Sequence, residues 1–228
     1  MKLTLIKRVS ECAGVESFIF QPAEPFSWKA GQFLHYVLHH EPTDTRGSDR
    51  WFTAASAPFE GNPMITTRLA AEKGSSFKRA LTKLKVSEEI EISDVDGDFI
   101  VEDPNTSCVF LAGGIGVTPF HSILKQADHE GVQLNVVMLY ANRDENVPYK
   151  EEFDQFAERN PRLVIHYLTS PERIDETSIK KYAPDLAQPT FYVSGPEPMV
   201  ESLGTMLKSL GVPPEHLKQD WFPGYPAE

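Results

Sequence analysis

The sequence predicts two domains, an antiparallel β-barrel over residues 1–102 followed by an α/β domain with a parallel sheet over residues 103–228. Three observations predict them. The first hundred residues hold short alternating or β-rich runs divided by Gly, Pro and polar turns. From Cys108 onward, strand patterns alternate with helical ones. Between the first such strand and helix stands a glycine-rich turn at 113–119.

In the first domain the runs 3–9, 15–21, 33–38, 64–69 and 89–93 read as strands, and one short helical pattern lies near 76–84. Asp103, Pro104 and Asn105 make a turn at the join. The second domain reads as strand 108–112, helix 119–129, strand 134–140, helix 148–159, strand 163–168, strand 190–194 and helix 198–210. No internal repeat or low-complexity stretch interrupts either half.

Composition excludes several classes of function. A chain of 228 residues that is 40% hydrophobic has ample material for packed cores. The net charge is -11, with 12 basic and 14 acidic residues in positions 1–100 against 10 and 19 in 101–228. Such a balance argues against general nucleic-acid binding, which needs cations to displace counterions from phosphates. The two cysteines, Cys12 and Cys108, form neither a disulfide framework nor a metal-ligand spacing, so no metal site or iron-sulfur cluster is expected. Residues 1–10 alternate charged and apolar side chains and read as a strand rather than a secretory signal, and no run approaches a membrane span. The expectation is a soluble cytoplasmic protein.

The sharpest motif is Phe110-Leu-Ala-Gly-Gly-Ile-Gly-Val-Thr-Pro-Phe120, an apolar strand that runs through glycines into a helix whose apolar positions Phe120, Ile123, Leu124 and Ala127 share one face. Gly113, Gly114 and Gly116 suit close approach of a pyrophosphate, and the start of the helix supplies N–H groups and a positive dipole end. Thr118 is the expected N-cap, with Pro119 at the first helical position. Ligands of open parallel sheets bind at the carboxyl ends of strands, and two further ends carry suitable residues: Asn142 and Arg143 after Tyr140, and Gly195, Pro196 and Met199 after Tyr192. Arg143 stands where an acidic residue usually grips the adenine ribose. It suits a 2′-phosphate and hence NADPH, or is a solvated surface arginine.

These pieces resemble the ferredoxin-NADP reductase superfamily over nearly the whole chain. Its G-x-G-x-x-P turn matches Gly114, Gly116 and Pro119, with Val117 inside it, and its Gly-Pro-x-x-Met segment matches Gly195, Pro196 and Met199. The family's flavin motif resembles Arg50-Trp-Phe-Thr-Ala-Ala-Ser56, with Gly31-Gln-Phe33 upstream. The resemblance implies that Arg50, Trp51, Phe52 and Thr53 contact flavin: Arg50 at the phosphate, Phe52 stacked on the ring, Thr53 near N5. It also implies a phosphate loop at Gly74, Ser75 and Ser76, with Thr67 and Arg68 bordering the flavin. Read without the family, residues 50–56 are an aromatic strand entering a turn, and Ser75 and Ser76 are helix caps.

The implied activity is transfer of hydride from NADPH or NADH to FAD, or to FMN, and of electrons onward to a ferredoxin, flavodoxin or oxygenase component. Thr53 and Thr118 would shape the site of transfer. Some relatives cover the flavin with a C-terminal aromatic, for which Phe222 is the candidate and Trp221 and Tyr225 are competitors. Two departures stand out. Ser194 replaces the cysteine many relatives carry before Gly-Pro, and two cysteines cannot hold a plant-type cluster, so the acceptor is expected to be separate. Lys73, Lys78, Arg79, Lys83 and Lys85 form either a docking patch for an acidic carrier or a solvated helix face. His35, His39 and His40 are expected on strand and loop, and His121 on a helix surface. The readings left open are a flavin- and dinucleotide-binding electron-transfer or regulatory subunit without its own turnover, and a reductase that exchanges flavin as a substrate.

Overall fold

The computed structural model describes residues 1–69 and 74–222, the side chain of Phe222 excepted. The chain divides into two compact units, Met1–Ile100 and Val101–Glu228, and each has its own core.

The first unit is built from β1 (Lys2–Cys12), β2 (Val15–Pro22), β3 (Phe33–Val37), β4 (Asp49–Thr53), β5 (Met64–Arg68), α1 (Ser76–Lys83) and β6 (Glu89–Asp96). The strands form one antiparallel sheet in the order β4-β3-β6-β1-β2-β5. Residues two apart point to the same side of a strand, and the pairs Leu3 and Leu5, Phe18 and Phe20, Leu34 and Tyr36, and Ile90 and Ile92 are all buried. Just past β4, the Ala55 N–H donates to the Met64 carbonyl at 2.8 Å. This bond joins the two outermost strands of the sheet and curls it into a barrel. Helix α1 drops Phe77 and Leu81 into the same core.

The second unit contains β7 (Ser107–Gly113), α2 (Thr118–Glu130), β8 (Asn135–Asn142), α3 (Lys150–Arg159), β9 (Leu163–Thr169), α4 (Glu176–Tyr182), β10 (Thr190–Pro196), α5 (Glu197–Ser209) and β11 (Leu217–Phe222). Its sheet is parallel, in the order β11-β10-β7-β8-β9. From β7 the chain first builds outward through β8 and β9, then crosses back to lay β10 on the other side of β7. The carboxyl ends of β7 and β10 are therefore the switch point, the place where such sheets bind ligands. Strand β7 is buried from Cys108 to Gly113, as a strand covered on both faces must be.

Three expectations need correction. Helix α2 buries Phe120, Ile123, Leu124 and Ala127 as read, but it buries His121 as well, because α3 packs over that side. The His121 ring stacks on Tyr149 at 3.8 Å, and its Nε2 lies 2.9 Å from the Glu152 carboxylate. Thr118 is not the N-cap. A tight 3-10 turn at Gly114–Val117 runs straight into α2, so Val117 takes the cap position without a side-chain bond and Thr118 is already helical. Finally, α4 and β11 were not anticipated, and β11 places the backbone of Trp221 and Phe222 in the sheet, paired with Gly195 and Pro196. Among the described residues no helix is long and apolar enough to cross a membrane.

Candidate functional site

In the barrel unit, alternation along β4 sends Arg50 and Phe52 to one face and Trp51 and Thr53 to the other. The first pair meets α1 at Phe77: the Arg50 guanidinium lies 5.7 Å from the Phe77 ring centroid, and the Phe52 ring 5.7 Å from it. Phe52 is half-buried, with Tyr36 at 6.1 Å on its other side. Trp51 is exposed, stacked on His35 at 4.6 Å, and Thr53 is buried on that side, away from Arg50.

Arg50 and the start of α1 converge on an anion. The Asp44 carboxylate accepts the Ser76 backbone N–H at 2.7 Å and lies 3.3 Å from Arg50 Nη2, while the Asp44 N–H donates to Ser76 Oγ at 3.0 Å. The backbone N–H groups of Ser76 and Arg46, with Arg50 beside them, hold the Asp44 carboxyl down to about 2. Burial pulls the Arg50 guanidinium below its usual value, yet it stays charged. Ser75 caps α1, accepting the Lys78 N–H at 3.3 Å. Ser75 is thus a helix cap, and Ser76 presents its N–H to the Asp44 carboxylate.

A flavin phosphate fits this arrangement, because a carboxylate already stands in for one. The neighbourhood also holds polar atoms without a partner. Tyr36 Oη, His40 Nε2 and Arg50 Nε are buried without a protein partner, and all three side chains border the Phe52–Phe77 aromatic pair. Buried polar atoms seldom go unpaired in a finished structure. Thr67 is buried on β5 and Arg68 half-buried beside it, on the outermost strand.

In the second unit, the glycines of the β7 turn are fixed by packing. A Cβ on Gly116 would lie 2.4 Å from the Gly195 Cα, and one on Gly113 would lie 2.3 Å from Met199 Sδ. Gly113, Gly116, Gly195 and Met199 thus form one interlocked edge at the switch point, with Pro196 exposed beside it. Their glycine requirement is met inside the protein before any pyrophosphate approaches. Flanking this edge, Asn142 at the end of β8 buries both amide atoms without a partner, and Ser194 in β10 does the same with its hydroxyl. Orphaned polar atoms on either side of a glycine turn fit a dinucleotide, and Arg143 stands exposed next to Asn142. Thr118 and Pro119 are buried at the start of α2.

Asp44, which occupies this anion position, was not among the residues read from the sequence. Its only local signal is a turn, in which its carboxylate also accepts the Arg46 N–H at 2.9 Å. The basic cluster is divided: Lys73 lies outside the described residues, Arg79 turns back to the Gly74 carbonyl, Lys78 is half-buried, and Lys83 and Lys85 are exposed. Tyr225 also lies outside them, and Trp221 is exposed. Burial pushes the Cys108 thiol up to about 12, so it is inert near neutrality.

Residues 110–204 match the oxidoreductase NAD-binding domain family. The ferredoxin reductase component of the 3-ketosteroid-9-alpha-monooxygenase of Mycolicibacterium smegmatis is 27% identical over 97% of the chain and 65% of its own length. The chain thus spans just under two thirds of that relative. Among solved structures, the FAD/NAD-binding domain of nitric oxide dioxygenase from Vibrio cholerae superposes with a TM-score of 0.84 at 19% identity, covering 97% of this chain and 98% of that one. Ferredoxin-NADP+ reductase from Plasmodium falciparum gives 0.80 at 15% identity, covering 97% and 95%.

Proposed function

We propose that the chain is a member of the ferredoxin-NADP reductase superfamily and an NAD(P)H-dependent flavoprotein reductase that passes electrons to an acceptor outside residues 1–228. The observation that carries the reading is the anion site, where Arg50 and the first N–H of α1 already hold a carboxylate. We assign flavin, as FAD or FMN, to residues 1–102, and the nicotinamide dinucleotide to residues 103–228. When bound, the flavin supplies the relay between a two-electron hydride donor and the acceptor.

The residues divide that work. Arg50 and Ser76 hold the phosphate, with Gly74 and Ser75 shaping the loop, and Phe52 lies against the ring. Thr67 and Arg68 border it, and Trp51 shields the strand from solvent. At the switch point Gly113, Gly114, Gly116 and Val117 shape the crevice for the pyrophosphate, Thr118 and Pro119 start the helix beneath it, and Gly195, Pro196 and Met199 form its other wall. Asn142 and Ser194 offer hydrogen bonds to the bound nucleotide, and Arg143 takes a 2′-phosphate. Thr53, Thr118 and Phe222 are assigned to shaping the transfer itself. Positioning and exclusion of water are the protein's contribution, so no acid-base pair is required.

The acceptor we propose is a ferredoxin, a flavodoxin or an oxygenase component, since the Mycolicibacterium relative is named as a ferredoxin reductase component. This reading puts the chain in the cytoplasm, with its nicotinamide donor. The deciding experiment is an anaerobic visible spectrum of flavin-loaded protein, taken before and after NADPH and NADH in separate cuvettes. Bleaching of the flavin bands is expected, faster with NADPH if Arg143 reads the 2′-phosphate. Bound flavin that neither nucleotide reduces would instead mark a subunit without its own turnover.

A further inference from the structure

We propose that Asp44 is a built-in competitor for the flavin phosphate: its carboxylate holds the same Arg50 and α1 donors, and a phosphorylated flavin binds by displacing it. The inference rests on the flavin reading above and concerns how the site is filled.

The geometry is that of a ligand with its receptor. One Asp44 oxygen takes the Ser76 N–H at 2.7 Å and the other faces Arg50 Nη2 at 3.3 Å, while the Asp44 backbone is tied back to Ser76 Oγ at 3.0 Å. A phosphate needs the same two donors. It cannot share them, because a second anion within a few ångströms of the carboxylate is repelled by it. Asp44 is also an imperfect tenant, since Arg50 Nε stays buried and unpartnered, and a phosphate brings more acceptor oxygens than a carboxylate.

Displacement would move a largely exposed segment. Asp44 lies in the connection between β3 and β4, where Glu41, Pro42, Thr43, Thr45 and Arg46 are exposed. A cavity of about 370 Å³ beside Ser76, lined by His40, Pro42, Arg79 and Lys83 among others, leaves room for that connection to shift. Acid does not release the carboxylate in the working range, because its pKa is about 2. Release therefore requires a competing anion. The consequence is a flavin held by exchange, more weakly than the contacts of the site alone would allow.

The test uses the full chain, stripped of flavin, and measures dissociation constants for FAD, FMN and riboflavin by fluorescence titration in wild type, Asp44→Asn and Asp44→Ala. Asn keeps the shape and an oxygen for the Ser76 N–H while removing the charge, so it decides the matter if Ala impairs folding. FMN and FAD are expected to bind about tenfold tighter in Asp44→Asn, with riboflavin unchanged, because riboflavin has no phosphate and leaves Asp44 in place. Unchanged or weaker FMN binding would overturn the proposal and make Asp44 a support for α1. Equal tightening of riboflavin would overturn it too, as general loosening of the loop. In both cases flavin still binds and the reductase reading stands. If no flavin binds wild type or either variant, the flavin reading fails and takes the proposal with it.

Discussion

Gly116 packs its Cα against the backbone of Gly195, and a single methyl there has nowhere to go, because the obstructing atoms of Ser194 and Gly195 are main chain. Gly116→Ala is expected to destabilise the second unit by about 1–3 kcal/mol, the usual cost of overpacking, and to weaken NADP+ binding. Gly131→Ala is the control. Its φ of +68° strains any side chain, but a Cβ there meets nothing within 4 Å, so the cost is only ~1 kcal/mol and nucleotide binding is kept. Urea unfolding and NADP+ titration of both variants check the pair. At this scale the sequence disclosed residue types but not their partners. Gly113, Gly116 and Met199 were legible as motif positions, whereas their contact with one another depends on β10 lying beside β7. His121 was misread for the same reason, since only α3, from a distant stretch of chain, makes its side of α2 an interior. Asp44 was invisible because an aspartate in a turn carries no mark of what its second oxygen faces.

The contact between α2 and α3 carries a pH dependence. His121 is fully buried, and its hydrogen bond to Glu152, with Lys125 nearby, holds the Glu152 carboxyl down to about 2 from an ordinary value of 4.5. A carboxylate depressed on folding stabilises the protein above its unfolded pKa, and that contribution disappears as pH falls through the folded one. Stability from this pair is therefore complete above about pH 4.5 and lost towards about pH 2. Glu152→Gln should lower the urea midpoint at neutral pH and flatten its fall over that window, and urea melts at stepped pH will show whether it does. The long, strongly patterned elements were readable from the sequence because their period is carried by buried residues close in sequence. The two that were missed have other causes. Helix α4 is only seven residues long, held by the capping box of Asp175 with Ser178 and by one buried side chain, Ile179. Strand β11, Leu-Lys-Gln-Asp-Trp-Phe, carries three consecutive polar residues in place of an alternating pattern and pairs on one side only. It is seated by Gln219, whose amide donates to the Val200 carbonyl at 3.0 Å and fills the space left by the absent side chain of Gly204.

Two cores in one chain imply two responses to ligands. In scanning calorimetry, FMN is expected to raise a transition belonging to the barrel and NADP+ one belonging to the parallel sheet, each by mass action on its own unit. One transition moved equally by both would show that the units unfold together. The change of rhythm at Cys108 announced this division in the sequence, because barrels and parallel sheets demand different connections between strands. The direction of β11 bears on a different matter, the routing of any chain that follows it. Running parallel to β10, it delivers its last residues to the end of the sheet that carries Gly195 and Pro196. A redox module fused directly after Phe222 would start beside Gly195 and Pro196, at a local concentration set by linker length. A purification tag fused there would crowd the same end of the sheet.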